Sequence, residues 1–229
     1  MLDELVRIVD QLAEDPTCRA LLVMSDGEMF AAGADIAMLD ANPDAPLVFG
    51  PKVQAAFNRI ESLPFPVVAA IDGHAMGGGL ELALACDVRL VSDRPGIKLG
   101  LPEVRIGMLA GAGGTQRLTH LVGRTRATDL LMTGRSIDAR TALEWGIVTE
   151  VLPVDGFEGA VRSRAEKLAE GPTLAIAAVK RCVSHAANGD LDAGLALERA
   201  EAALLMQSTD GKEGLQAFLQ SRRPTFTGR

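Results

Sequence analysis

Val67-Val68-Ala69-Ala70-Ile71-Asp72-Gly73-His74-Ala75-Met76-Gly77-Gly78-Gly79-Leu80-Glu81-Leu82-Ala83-Leu84-Ala85-Cys86 decides how this chain is built. Val67 to Ile71 is the most strand-like run in the sequence, apolar throughout and β-branched at both ends. Asp72-Gly73 ends it, and the following glycines lead through a loop into a buried helix over 78–86. Strand, loop and helix in that order form one unit of a parallel α/β arrangement. Such a loop aims backbone N–H groups and the positive end of a helix at an anion or oxyanion. The plainer alternative is that the glycines only permit close packing. A dinucleotide site does not fit: neither this loop nor Gly111-Ala112-Gly113-Gly114-Thr115-Gln116 has the third glycine of GxGxxG, and no P-loop occurs.

Working outward, residues 2–14 place Leu2, Leu5, Val6, Val9 and Leu12 on one helical face. Ala20 to Met24 reads as a short buried strand turned by Ser25-Asp26-Gly27. Residues 51–63 read as a helix opened by Pro51 and closed before Pro64. Val88 to Val91 is another strand. Beyond Gly111 the spacing predicts helices over 114–122, 125–132 and 138–145, a last strand over Ile147 to Leu152, and helix through most of 156–220. With no long linker and no repeat, the reading is one α/β body, residues 1–152, carrying a helical C-terminal region, 153–229.

The 229 residues are 48% hydrophobic, enough for one substantial core. Net charge is −7 with no basic run, which argues against a nucleic-acid partner because phosphate contacts dominate that affinity. Any site for an anion must therefore be local. Cys18, Cys86 and Cys182 are far apart and odd in number. They form no metal pattern and no disulfide framework, and point to reduced thiols in a cytoplasmic protein. No window has the length of a membrane span, and the acidic, amphipathic start is unlike a signal peptide.

Two glutamates carry the candidate chemistry. Glu81 lies early in an apolar helix, where ionisation is costly and a raised pKa is expected. Helping its own helix dipole would be the ordinary role for such a residue. Glu103, in Leu101-Pro102-Glu103-Val104-Arg105-Ile106-Gly107, lies in a segment without periodicity, and an exposed loop charge is its ordinary reading. As a pair they suit acid/base work on water, one group taking a proton while another delivers or orients one. His74, His120 and His185 show neither zincin spacing nor a GxSxG elbow, so they carry no triad or metal reading. Arg117 reads as structural, and Lys212, Arg222 and Arg223 as solvated, with one or two able to meet a phosphate.

Taken together, these segments resemble the enoyl-CoA hydratase/isomerase (crotonase) superfamily through nearly the whole chain. Ala31-Ala32-Gly33-Ala34-Asp35-Ile36 looks like its first oxyanion segment, and Pro66 to Asp87 like its second. Leu101-Pro102-Glu103 through Arg117-Leu118 resembles the catalytic block. Thr133-Gly134, Ala139 to Val148, Phe218-Leu219 and Arg223 to Arg229 resemble later landmarks. The resemblance implies a crotonase-like ββα spiral with a C-terminal helical trimerisation region, assembled as a homotrimer or dimer of trimers. It implies an acyl-CoA thioester substrate and no separate cofactor, coenzyme A being part of the substrate, and no metal. Ala34 and Gly78 would supply the oxyanion hole through backbone N–H. Glu81 and Glu103 would be catalytic, holding a water for addition to a 2-enoyl-CoA. Ala32, Asp35, Ile36, Gly111 and Gly113 would line the substrate.

Three features depart from the pattern. The chain opens at what looks like the family's first long helix, without the earlier strands and the Asn-Ala-Leu-type segment that helps bind CoA. An unpaired sheet edge and weaker CoA binding are then expected. Ala110 stands where proline is frequent, and two extra residues fall near Pro95-Gly96, where a turn is expected. A Δ3,Δ2-enoyl-CoA isomerase is the nearest alternative to a hydratase. A non-catalytic acyl-CoA-binding protein is the alternative from another class.

Overall fold

The computed structural model describes residues 2–42 and 44–229. In chain order the elements are α1 (Leu2–Glu14), β1 (Leu21–Val23), β2 (Met29–Ala31), α2 (Ile36–Ala41), α3 (Ala45–Val48), α4 (Gly50–Glu61), β3 (Val67–Ile71), β4 (His74–Met76) and α5 (Gly78–Leu84). Then follow β5 (Val88–Ser92), β6 (Leu99–Gly100), a 3-10 turn (Glu103–Ile106), α6 (Gly114–Thr133), β7 (Ser136–Ile137), α7 (Ala139–Glu144) and β8 (Glu150–Leu152). The C-terminal part is α8 (Phe157–Ala169), α9 (Thr173–Asn188), α10 (Leu191–Gln207) and α11 (Thr209–Leu219).

The strands divide between two sheets of order β1-β3-β5-β8 and β2-β4-β6-β7. The first is parallel throughout, and only β6–β7 is antiparallel in the second. Successive strand pairs, β1 with β2, β3 with β4 and β5 with β6, each give one strand to either sheet before the chain turns into a helix. That repetition is the ββα spiral. β3 shows why its sequence is unbroken apolar. All five of its residues are buried, with Val67, Ala69 and Ile71 in the main core and Val68 and Ala70 in a second cluster with Leu90, Phe157, Val161 and Ala165. A strand covered on both faces has no polar alternation. The second cluster is closed by α8, which packs on β1 and β3.

The structure corrects the reading of 72–79 as one loop, because β4 lies inside it. Its three residues are too few to show a period. They form a strand through non-local pairing, with His74 N–H donating to Glu28 O at 2.9 Å, Ala75 N–H to Lys98 O at 3.0 Å and Gly77 N–H to Gly100 O at 2.9 Å. The second sheet as a whole escaped the sequence reading for this reason, its strands being two or three residues long. The expected break in α6 is present, since Gly123 adopts φ 75°, ψ 164° inside it. Pro95-Gly96 forms a turn. The last strand is shorter than expected: Ile147 and Val148 are buried in the turn before β8.

The C-terminal helices are joined by polar forks. Arg181 meets Glu201 at 2.6 and 2.7 Å across α9 and α10. Asp210 is buried and accepts from Thr227 and Gly228 N–H, tying down the tail. Arg222, solvated as expected, also forks onto Glu213 at 2.6 and 2.8 Å.

The packing of α5 on β2 gives a testable contrast. A Cβ on Gly79 would meet the Ala31 carbonyl head-on and sit 2.7 Å from Ala31 Cβ, whereas one on Gly159 in α8 meets nothing within 4 Å. Overpacking against backbone costs about 3 kcal/mol, so Gly79→Ala should lower Tm by about 6–12 °C. Gly159→Ala should hold or raise it, by helix propensity worth up to about 1 kcal/mol. Thermal unfolding of both variants checks the pair, and a Gly79→Ala protein as stable as the parent would contradict this packing.

Candidate active site

Parallel pairing within the second sheet brings the site together. β2 pairs with β4 and β4 with β6, all running the same way, so the segments after their C-terminal ends lie side by side. Those segments are 32–35, Gly77-Gly78 and 101–103. Ligand crevices form at this edge of parallel sheets because loops and helix starts converge there.

The first two segments touch. A Cβ on Gly33 would lie 2.7 Å from Gly78 N and 3.2 Å from Met76 O, and Gly33 adopts φ 95°. Gly77, at φ 54° and ψ −130°, makes the corner from β4 into α5. Both positions need glycine, for conformation and for space. A Cβ on Gly78 would stand 3.8 Å from Ala34 N, so the two N–H groups named in the sequence are neighbours. Among the described residues, neither donates to a loop or turn acceptor.

Glu81 is 3% exposed, in the first turn of α5. That place suits the dipole of its own helix, but its carboxylate reaches a different one. Oε1 accepts from Ala112 N–H at 2.7 Å and Gly114 N–H at 2.8 Å, so the carboxylate caps the start of α6. Burial pushes its pKa above the ordinary value, against the Gly114 and Ala112 N–H groups and the Arg117 charge, which pull it down. Glu103 opens the 3-10 turn and is half-buried rather than an exposed loop charge. Its Oε2 is buried with no hydrogen-bond partner. A Cβ on Gly77 would lie 3.1 Å from its Oε1, which puts Glu103 beside the Gly77-Gly78 corner. Burial raises the Glu103 pKa, and the Glu81 charge raises it further. Two carboxyls with raised pKa values thus lie beside two unspent N–H donors, an arrangement able to exchange protons next to a developing oxyanion.

The remaining predicted residues surround this point in different ways. Ala32 is exposed beyond β2. The Asp35 carboxylate turns back to accept from Ala37 N–H at 2.9 Å and Met38 N–H at 3.2 Å, capping α2. Ile36 is 56% exposed at the start of α2. Gly111 is exposed and its carbonyl accepts from Gln54 Nε2 at 2.7 Å. Gly113 adopts φ 107° at the N-cap of α6. Of the histidines, His74 accepts from Lys98 N–H through Nδ1, His120 is exposed and His185 lies in α9, remote in sequence from these loops. Among the described residues no cluster of His, Cys, Asp and Glu could hold a metal, and no helix could cross a membrane. All three cysteines are free, and burial pushes the Cys86 thiol up to about 12.

The model of the family described as enoyl-CoA hydratase/isomerase matches residues 1–229. This chain belongs to the enoyl-CoA hydratase/isomerase family. It is 38% identical to the enoyl-CoA isomerase/hydratase fer4 of Mycosarcoma maydis, over 97% of this chain and 81% of that protein. It is 36% identical to the 2,3-dehydroadipyl-CoA hydratase of Escherichia coli K12, over 100% of this chain and 89% of that one. Its fold matches the crystal structure of an enoyl-CoA hydratase from Geobacillus kaustophilus HTA426 with a TM-score of 0.95 at 39% identity, covering 100% of this chain and 87% of that one. The α/β architecture is therefore the crotonase fold.

Sequence reasoning missed Gln54, Asn58 and Glu61 on α4, which support the loop feeding Glu81. Their i, i+4, i+7 spacing puts them on one helical face, which by itself does not distinguish them from a solvated surface.

The raised carboxyls fix how stability depends on pH. A carboxyl whose folded pKa exceeds its unfolded one binds its proton more tightly when folded. Its contribution is full below the unfolded pKa and is lost as pH rises through the folded pKa. Glu81→Gln keeps an oxygen for the Ala112 and Gly114 N–H groups and removes the buried charge. The variant should therefore gain on the parent as pH rises through that window, with the least gain at acidic pH. Urea unfolding at pH 4 and pH 8 reads this, and a relative loss at pH 8 would contradict it.

Proposed function

We propose that this protein hydrates 2-enoyl-CoA thioesters to 3-hydroxyacyl-CoA. The observation that carries the reading is the convergence of Glu81, Glu103 and the Ala34 and Gly78 N–H groups at one edge of the second sheet. In this reading the thioester oxygen accepts from Ala34 and Gly78 N–H and is stabilised as charge develops on it. Glu81 and Glu103 hold a water between them. Its oxygen bonds to C3, and the released proton is replaced by one delivered to C2, so water adds across the double bond with no net proton change. Glu81 is held by two N–H donors, whereas Glu103 has a free oxygen, so Glu103 is the freer proton carrier. Ala32, Ile36, Gly111, Gly113 and the Asp35 backbone are assigned to the walls of the acyl-CoA site. The names of relatives, hydratases among them, agree with this substrate class.

The same asymmetry favours one second reading. With a single freely placed carboxylate, the site suits a proton shuttle between C4 and C2 of a 3-enoyl-CoA, an isomerisation. We assign assembly as a trimer or pair of trimers to the apolar residues left exposed on α9 to α11, among them Val179, Val183, Phe218 and Leu219.

Turnover of Glu81→Gln and Glu103→Gln on a 2-enoyl-CoA and a 3-enoyl-CoA separates the readings. In a hydratase each change should cost about 10²–10⁴ in hydration. The double change should cost far less than the product, because both groups serve one water. In an isomerase only Glu103→Gln should abolish activity. Acyl-CoA binding without turnover in the parent would leave a binding protein. A folded Glu103→Gln enzyme hydrating at the parent's rate would remove the mechanism.

A further inference from the structure

Glu81 receives its N–H donors from a loop that Arg117 holds from below. Arg117 Nη1 donates to Ala112 O at 3.1 Å, fixing the peptide between the two that donate to Glu81. Its other nitrogens reach α4, with Nε and Nη2 on Glu61 Oε2 at 3.1 and 2.8 Å and Nη2 on Asn58 Oδ1 at 2.7 Å. The Arg117 side chain is 12% exposed and that of Glu61 45%. Gly113 leaves the room, since a Cβ there would collide with Nη1. Gln54 holds the preceding peptide by its Gly111 carbonyl, so two successive peptides of this loop are held from α4, one directly and one through Arg117.

We propose that Arg117 is a positioning residue for Glu81: anchored on Asn58 and Glu61, it grips the Ala112 carbonyl and so sets the N–H pair that receives the carboxylate. Arg117 also acts on Glu81 through space. Among charged groups, Glu81 meets Arg117 from α6 and Glu103 from the 3-10 turn, with Glu61 of α4 behind Arg117. β2 and β4, also packed on α5, add only His74, which is turned to Lys98 N–H. The consequence for turnover rests on the hydration reading, but the effect on Glu81 itself does not.

The signs make the test specific. Arg117→Gln removes a cation and should raise the Glu81 pKa. Glu61→Gln keeps an amide oxygen to anchor Arg117 but removes the anion that offsets its charge, and should lower it. A side chain that merely braced the fold would loosen in both variants and move Glu81 one way only. Arg117→Lys keeps the charge but has no planar fork to bridge three acceptors. Its Glu81 pKa should stay nearer the parent's, while kcat falls.

The measurement is the 13C NMR titration of the Glu81 side-chain carboxyl, assigned through Glu81→Gln, in the parent and the three variants. Opposite shifts in Arg117→Gln and Glu61→Gln support the proposal. Shifts of the same sign, or none in the folded variants, overturn it. If Arg117→Gln does not fold, Glu61→Gln and Arg117→Lys decide the matter alone. On a 2-enoyl-CoA, Arg117→Gln should lose about 10–100-fold in kcat, as for a misplaced catalytic group, with KM little changed. A parent without hydratase activity would sink the function proposed above while the titrations still judge Arg117.

Discussion

One carboxylate oxygen, Oε1 of Glu81, accepts two backbone N–H groups from the start of α6, and the site is organised around that contact. A buried carboxylate is costly unless it is hydrogen-bonded, and two buried N–H groups are costly unless they find an acceptor. Here each requirement meets the other. The contact joins α5 to α6, which pack against each other across it. It also dictates composition: a Cβ on Gly114 would stand 2.9 Å from Oε1 and 3.0 Å from a methyl of Leu101. The glycines of 111–114 therefore have different causes, Gly114 being excluded from a side chain by Glu81 and Gly113 by Arg117 and a positive φ. A mutation that swells this loop would disturb the carboxylate before it disturbed the core.

The two sheets explain why residues so far apart in sequence meet. Each ββα turn passes from the first sheet to the second, most tightly at Gly73, which packs against Glu28 where a Cβ would strike the carbonyl. In the first sheet β3 is covered on both faces. The second lends Phe30, Ala75, Leu99 and Ile137 to the main core, and the parallel ends of its short strands aim three loops at one point. Both sheets thus feed the core but the second presents the site, and its short strands exist because neighbours from other turns supply their hydrogen bonds.

That division governs what was legible in the sequence. Val67–Ile71, α1, α4 and the helices after Gly114 announce themselves by local pattern, because burial on one or both faces imposes it. β2, β4, β6 and β7 do not, because non-local pairing rather than pattern creates them. The broad α/β reading came from residues, whereas the spiral came from resemblance and not from periodicity. Glu81 and Glu103 stood out as unusual carboxylates, yet structure added what their ordinary readings lacked: Glu81, in the first turn of α5, also caps a different helix, and Glu103 is half-buried rather than exposed. The α4 polar face went unnoticed because Gln54, Asn58 and Glu61 look like any solvated helix surface until α6 is placed beside them.

The two carboxyls share a direction of pKa shift but not an environment, and the difference suits a division of labour. Glu81 has its desolvation opposed by two N–H donors and Arg117, so its ionised form is supported inside the protein. Glu103 lacks such support at Oε2 and feels Glu81 as a like charge. Protonating either relieves the repulsion. Glu81 is therefore the better-anchored acceptor for water in the proposed pair. In an acidic chain of net charge −7, an enolate-like oxygen would gain nothing from the overall field. Its stabilisation would fall to the nearby dipoles of Ala34 and Gly78, which need Gly33 and Gly77 to bring the two backbones together.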